Sequence, residues 1–335
     1  MATKDIIVIG SSAGGVEALS RFCAALPADL PATIFIVQHL SPSAKSVLPQ
    51  LLDRAGPLPA LVPSDGQAFE RGHIYVGAPD HHLLVRDGRI LVRRGPFENR
   101  TRPAINALFR SAALAYGSRV TGVVLTGLLD DGTDGLIAIK AAGGTSIVQD
   151  PDEAEWPSMP RNAVKRDHVD RVVRLDQLAE VVAETAREEA GPSIPLPAEY
   201  ATEDRIAAQE FAVMEPDIEA PGHASRIACP DCGGVLNQIQ TGAELRFRCQ
   251  IGHAYTPLGL VDAQNRELER ALSIAVRTHR DRVRLFSQMA DNARTRKLPH
   301  AAARWDEASA QSERMVEVLE QAISTLRKAP IDGEG

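Results

Sequence analysis

Residues 5–9 read Asp-Ile-Ile-Val-Ile, a β-branched run without polar alternation, and lead through the small residues 10–15 into helical apolar spacing over 16–26. Successive strand residues point to opposite faces, so a strand apolar at consecutive positions must be covered on both sides. The unit recurs. Residues 33–37 form a second such strand followed by a helix over 46–55, and 120–125 a third followed by a helix over 132–142. Strands at 145–148 and 172–174 and helices over 102–116 and 176–189 extend the pattern. Buried strands alternating with helices imply crossover connections, which predicts an α/β fold with a doubly wound, mostly parallel sheet. Between 72 and 94 the rhythm changes. The short runs 73–76, 83–85 and 90–92 are split by turn residues, Asp87 and Gly88 among them, which predicts an antiparallel hairpin insert.

Periodicity stops at 191. Pro192, Pro195, Pro197, Pro216 and Pro221, set among acidic residues, mark 191–226 as a mobile linker. A small Cys/His module follows over 227–256, and 257–329 is helix-forming except at Pro299. A helical hairpin is expected there, with Leu268, Leu272, Ala275 and Val276 on one buried face and Met315, Val318, Leu319 and Ala322 on the other. Two helices alone leave apolar surface, so self-packing and a docking or oligomerising element are both open readings. The expected organisation is thus an α/β domain over 1–190, the linker, the module and the hairpin.

At 335 residues the chain has room for about two domains and a sizeable core. Its net charge of −7 argues against general nucleic-acid binding, which needs a basic surface to displace counterions from phosphates. No stretch approaches the ~20 apolar residues of a membrane span, and no export signal is evident, so a cytoplasmic location without membrane insertion is expected. Cys229, Cys232 and Cys249 lie close together, which favours a metal site in a reducing compartment over disulfides, and Cys23 reads as inert core.

In an open parallel sheet, ligands bind beyond the carboxyl ends of the strands. Three segments end there with reactive side chains. After the first strand, Gly10, Ser11, Ser12, Ala13, Gly14 and Gly15 allow a sharp turn that presents a serine at a helix start, though such a turn also suits plain structure or a phosphate. After the second comes His39, an imidazole of the kind that serves as a general base, though a lone histidine is more often structural. After the 120–125 strand, Asp130 and Asp131 precede Gly132, where an aspartate is also a favoured helix cap. A hydroxyl, an imidazole and a carboxylate at one sheet edge together suggest acyl transfer. A dinucleotide-binding oxidoreductase is disfavoured, because the G-x-G-x-x-G spacing is absent and the second strand ends in Gln38-His39 instead of an acid.

Over residues 3–185 the chain closely resembles the catalytic domain of the chemotaxis protein-glutamate methylesterase family. The resemblance is carried by Ile9 to Gly15 as quoted, Gln38-His39, Gly72-His73-Ile74-Tyr75-Val76-Gly77-Ala78-Pro79 with His81-His82, Arg102-Pro103-Ala104-Ile105-Asn106, Thr126-Gly127 with Asp131-Gly132, and Met159-Pro160. It implies Ser12 as nucleophile, His39 as base and Asp131 as third member, a choice between neighbours that the spacing left open. It further implies hydrolysis of glutamate methyl esters on a chemoreceptor-type signalling protein, related glutamine deamidation by the same acyl-enzyme route, and no cofactor for catalysis. Backbone donors near Ala13 and Leu128 would hold the oxyanion, and Arg102 could steer an acidic receptor segment or be a solvated helix-start charge. Ala13, Leu128, Leu129 and Asn106 depart from the family's usual threonine, methionine, glycine and aspartate. The family's amino-terminal receiver domain has no counterpart ahead of the first strand, so different regulation is expected. The competing reading is a signalling scaffold with a silent esterase fold.

Cys229 and Cys232, sixteen intervening residues, then Cys249 and His253 give C-x2-C and C-x3-H, the ligand set of a zinc-ribbon-like knuckle pair. Structural zinc is expected, with His223 as a spare ligand and no open position for catalysis. Too few apolar residues lie between the ligands to form a core without metal. His81 and His82 lack Cys, Asp or Glu neighbours and are expected at a site rim or plain surface.

Overall fold

In the computed structural model, residues 2–41, 46–167, 169–209, 222–241 and 244–328 are described. They form β1 (Ile6–Ser11), α1 (Gly15–Ala24), β2 (Thr33–Gln38), α2 (Leu48–Ala55), β3 (Ala60–Leu61), β4 (Ile74–Val76), β5 (His82–Arg86), β6 (Arg89–Arg93), α3 (Ile105–Tyr116), β7 (Val120–Val124), α4 (Thr133–Ala141), β8 (Thr145–Gln149), α5 (Ser158–Asp167), β9 (Arg171–Val173), α6 (Leu175–Arg187) and α7 (Ala198–Ala207). Then come β10 (His223–Ala228), β11 (Val235–Thr241), β12 (Glu244–Cys249), β13 (Ala254–Tyr255), α8 (Pro257–Thr295) and α9 (Pro299–Lys328). Two compact units result, residues 1–260 and 261–335.

The main sheet runs β3-β4-β2-β1-β7-β8-β9, all pairs parallel. Alternate residues of β1 explain its unbroken apolar run. Ile7 and Ile9 pack with Leu19, Phe22, Leu52 and Val182 on one face, while Ile6 and Val8 pack with Phe109, Leu136 and Ile139 on the other. The strand order reverses beside β1, and the carboxyl ends of β1, β2 and β7 therefore meet at the switch point of the sheet.

Three expectations need correction. Ile74–Val76 does not belong to the hairpin insert, because it joins the parallel sheet beside β2, and only β5 and β6 form the antiparallel pair. The stretch read as a linker contains α7, whose Tyr200, Glu203 and Asp204 are buried. Residues 210–221 of that stretch lie outside the described residues. In the hairpin, the seam is a 3-4 repeat through Leu272, Val276, Val283, Phe286 and Ala290 on α8 and Ala302, Trp305, Ser309, Ser312 and Leu319 on α9, while Leu268, Met315, Val318 and Ala322 face solvent. Phe286 stacks on Trp305 at 5.6 Å.

Within residues 1–260 the small sheet β10-β11-β12-β13 is joined to the α/β domain by buried charges. Glu98 accepts from Arg110 at 2.6 Å and Arg248 at 3.2 Å, and Glu203 pairs with Arg246 and, at 3.5 Å, with Arg248. Burial alone would raise the Glu98 carboxyl, but the Arg110 and Arg248 guanidiniums outweigh it and hold the group well below the usual carboxylate range. Glu203→Gln would leave buried guanidiniums uncompensated, and chemical denaturation should show a loss of about 3–5 kcal/mol. A loss under about 1 kcal/mol would mean that solvent reaches the cluster.

Candidate active site and Cys/His centre

The switch point receives one reactive side chain from each strand end. Gly14, with φ of 73°, ends the turn after β1 and starts α1. The backbone sign calls for glycine there, since an L side chain at that φ is strained, whereas the Glu155 carboxylate that a Cβ would meet at 2.7 Å is a mobile tip. The two serines of this turn have different surroundings. Ser11 is buried and its Oγ donates to Gln38 Oε1 at 2.7 Å, whereas Ser12 is half-buried, with no side-chain hydrogen bond among the described residues. Ser12 is held by its backbone, its N–H donating to Thr126 O at 3.0 Å and its carbonyl accepting from Gln38 Nε2 at 2.7 Å.

His39 directly follows β2, and its backbone N–H donates to Ser11 O at 3.0 Å. Its ring Nε2 lies 2.8 Å from Asp131 Oδ2, with the ring 14% and the carboxylate 3% exposed. The start of α3 fixes that carboxylate: Ile105 N–H donates to Oδ2 at 2.8 Å and Asn106 N–H to Oδ1 at 3.2 Å. Gly132 N–H adds 3.1 Å at Oδ1 and Asn99 Nδ2 3.5 Å. Helix N-termini carry unpaired N–H groups and partial positive charge, and here they keep an anion in place. Asn106 Oδ1 accepts from Gly132 and Gly135, so the residue that replaces the usual aspartate also caps α4. With Nε2 committed to Asp131, Nδ1 is the ring nitrogen left for a proton transfer. Among the described residues, no hydrogen bond yet joins it to Ser12.

Asp130 points elsewhere. Its Oδ1 accepts from Thr256 Oγ1 at 2.8 Å and its Oδ2 meets Arg166 Nη1 at 3.1 Å. Burial raises its carboxyl from the usual 3.8 to about 6, against the Thr256 hydroxyl and Arg166, with Asp131 adding to the rise. Such a group binds its proton more tightly folded than unfolded. Stability is therefore lost as pH climbs from 3.8 to about 6, on the order of 3 kcal/mol. Asp130→Asn should recover most of that at pH 8 and little at pH 4, as urea melts at the two pH values would show; an equal change at both would contradict the burial argument.

Several side chains sit where the sequence did not put them. Arg102 is only 10% exposed, donating to Asp80 and to Gly95 O and lying 4.2 Å over the Phe97 ring, so it is no free charge on a rim. His82 is fully buried, with Nε2 at 2.8 Å from Pro96 O and Nδ1 accepting from Ala104 N–H, a core role instead of a rim or surface one. Burial lowers its pKa despite the neighbouring Glu98. Leu128 is 50% exposed, and Leu129 adopts φ of 64°. That is a left-handed conformation in which a Cβ is strained, so the glycine usual at 129 has a backbone reason.

A family model for CheB methylesterase matches residues 7–182. The Thermotoga maritima CheB methylesterase catalytic domain is 31% identical with a TM-score of 0.52, and the match covers 99% of that chain and 55% of this one. The chain belongs to the CheB methylesterase family. Curated relatives include a protein-glutamate methylesterase/protein-glutamine glutaminase of Methanosarcina mazei, 34% identical over 56% of this chain and 53% of its own. One of Rhizobium johnstonii is 35% identical over 54% and 50%. The chain thus spans about half the length of these curated relatives, and the family match ends before α7.

Beyond it, Cys229, Cys232, Cys249 and His253 gather with all ligand atoms within 4.8 Å of one another. Cys232 Sγ lies 3.7 Å from Cys249 Sγ, and His253 Nδ1 lies 3.7 Å from Cys229 Sγ and 3.6 Å from Cys249 Sγ. A tetrahedral zinc with bonds of about 2.3 Å to sulfur and 2.0–2.1 Å to nitrogen requires edges of about 3.8 and 3.5 Å, which these three separations match, and the remaining donor pairs are no farther apart than 4.8 Å. His223 is not among them. Tyr255 OH donates to Asp231 at 2.6 Å and lies 3.5 Å from Cys229 Sγ, bracing the first knuckle. Among the described residues no helix is long and apolar enough to cross a membrane.

Proposed function

We propose that the chain is a serine hydrolase that removes methyl esters from glutamate side chains of a chemoreceptor-type signalling protein in the cytoplasm, with glutamine deamidation as related chemistry. The observation that carries the reading is the His39–Asp131 pair at 2.8 Å, set at the same sheet edge as the half-exposed Ser12. Ser12, His39 and Asp131 act as the triad. His39 Nδ1 takes the Ser12 proton as Oγ attacks the ester carbonyl, and Asp131, on Nε2, holds the ring and offsets its positive charge. The protonated ring then delivers its proton to the departing methoxide, methanol leaves, and water hydrolyses the acyl-enzyme by the same route. Catalytic hydrogen bonds are often long or unmade in unliganded sites and tighten in the substrate complex. The N–H groups of Ala13 and Leu128 have no acceptor among the described residues, which suits them to the oxyanion, each worth about 3 kcal/mol of barrier.

The Cys/His centre holds structural zinc, supported by the donor distances above; bound there, the metal would cross-link the two knuckles, with no open position for catalysis. We read 1–190 as the esterase domain, followed by the connecting segment, the module and the hairpin. The test is methanol release from a methylated receptor segment by the full chain, together with labelling by a fluorophosphonate mapped by mass spectrometry. Release with label on Ser12 supports the esterase. No release and no label, with the chain still bound to the receptor, favours a scaffold. Metal content by plasma emission tests zinc, and about one equivalent per chain is expected.

A further inference from the structure

The Cys/His module lies outside the matched family region, yet its last strand reaches the acid side of the candidate triad. β13 pairs with β12 on one edge, and on the other edge exchanges bonds with the 96–102 segment: Ala254 N–H donates to Phe97 O at 3.1 Å and Asn99 N–H to Ala254 O at 2.8 Å. Phe97 stacks on the ring of His253, one of the four clustered ligands, at 6.5 Å. The segment is therefore held by the module's sheet and by a side chain of the metal cluster.

Two residues carry this attachment to the carboxylates. Asn99 sits at φ of 48°, a conformation that asparagine tolerates better than most residues. Its amide bridges: Oδ1 accepts from Thr256 N–H at 2.8 Å and Nδ2 faces Asp131 Oδ1 at 3.5 Å. Its orientation is set, since a flipped amide would turn an oxygen toward the carboxylate. A Cβ on Gly259 would lie 2.6 Å from Asn99 Oδ1, so the start of α8 leaves room for this amide and no more. Thr256 Oγ1 accepts from Gly259 N–H at 2.9 Å, capping α8, and its one proton goes to Asp130 Oδ1 at 2.8 Å. Asp130 and Asp131 are neighbours on one buried turn, so the module reaches both acids, Asp130 directly through Thr256 and Asp131 through Asn99, which Thr256 N–H holds.

We propose that Asn99 and Thr256 are positioning residues of the esterase site, through which the Cys/His module locks the Asp130–Asp131 turn and becomes a working part of the catalytic machinery. The inference rests on the esterase reading above. The groups facing Asp130 are the Thr256 hydroxyl from the module, Arg166 from α5 and Asp131 beside it, while Asp134 shares Arg166 at 3.0 Å. Thr256→Val keeps the shape but deletes both the donor that favours ionised Asp130 and the acceptor that caps α8, and the second loss is read separately by melting temperature. The Asp130 carboxyl then rises further, the Arg166 pair is lost at a higher pH, and the turn loosens there.

The experiment measures kcat and KM for methanol release across pH 5–9 for the full-length wild type, Thr256→Val, Thr256→Ser and Asn99→Ala, with melting temperature and metal content for each. The expected result is a kcat about tenfold lower in Thr256→Val, with KM unchanged and the acid limb of the profile moved to higher pH. Thr256→Ser should restore the wild-type profile, and Asn99→Ala should lower kcat by a few-fold at full metal content. In an Asp130→Asn background, Thr256→Val should no longer move the acid limb. The proposal is overturned if Thr256→Val retains the wild-type kcat and profile, or if its loss tracks only melting temperature or metal loss and serine does not rescue it. If Thr256→Val does not fold, Asn99→Ala decides: a few-fold lower kcat at full metal content and unchanged melting temperature supports the proposal, and a wild-type kcat overturns it. A wild type that neither releases methanol nor labels at Ser12 instead sinks the esterase reading, and this inference with it.

Discussion

Ser12→Ala is expected to reduce kcat for methanol release by roughly a millionfold, to the residual rate that substrate binding and oxyanion donors sustain. The change removes one oxygen from a half-buried side chain that makes no hydrogen bond among the described residues, so melting temperature should move by no more than a degree or two. Rate and stability are thereby separated. The backbone of residue 12 keeps its bonds to Thr126 and Gln38, and the turn keeps its shape. Methanol release under single-turnover conditions is the measurement, and a variant that keeps wild-type turnover rules out Ser12 as the nucleophile.

Asp131→Asn should be nearly as damaging, and it should damage both properties. Both carboxylate oxygens already face donors: Oδ2 meets His39 Nε2 and Ile105 N–H, and Oδ1 meets Asn106 N–H, Gly132 N–H and Asn99 Nδ2. An asparagine must place its NH2 against donors on one side or the other. If it faces His39, the ring must turn its lone pair to Nε2 and carry its proton on Nδ1, where the Ser12 proton has to go. A fall of about 10⁴-fold in kcat follows. If it faces the α3 N-terminus, buried N–H groups lose their acceptor at about 1–3 kcal/mol. Kinetics and denaturant melts of the same sample read the two costs together. A variant with wild-type turnover would mean that His39 needs no anion behind it.

The same residues show where sequence reasoning succeeded and where it ended. The apolar runs before Gly10 and Gln38 place Ser12 and His39 at strand ends, because a strand covered on both faces has nowhere polar to go until it leaves the sheet. Four Cys and His residues with knuckle spacing are legible as one cluster because local turns bring each pair together. Arg102 is the contrary case. An arginine at a helix start looks free in one dimension, and only folding brings Asp80, Gly95 and Phe97 around it.

What the amino-acid order determined by itself is local: which segments are strands or helices, which serine turn and which histidine end a buried strand, and which cysteines share a knuckle. Those properties depend on periodicity and on neighbours a few residues apart. Tertiary structure alone decided that Ser11 is tied to Gln38 while Ser12 is not, that Asp131 faces His39 while Asp130 faces Thr256, and that Glu98, Arg110, Glu203 and Arg248 share one buried cluster. Partners separated by tens to over a hundred positions leave no periodic trace. Their pairing is selected by burial, which makes any unmatched charge or hydroxyl costly only once the chain has closed around it.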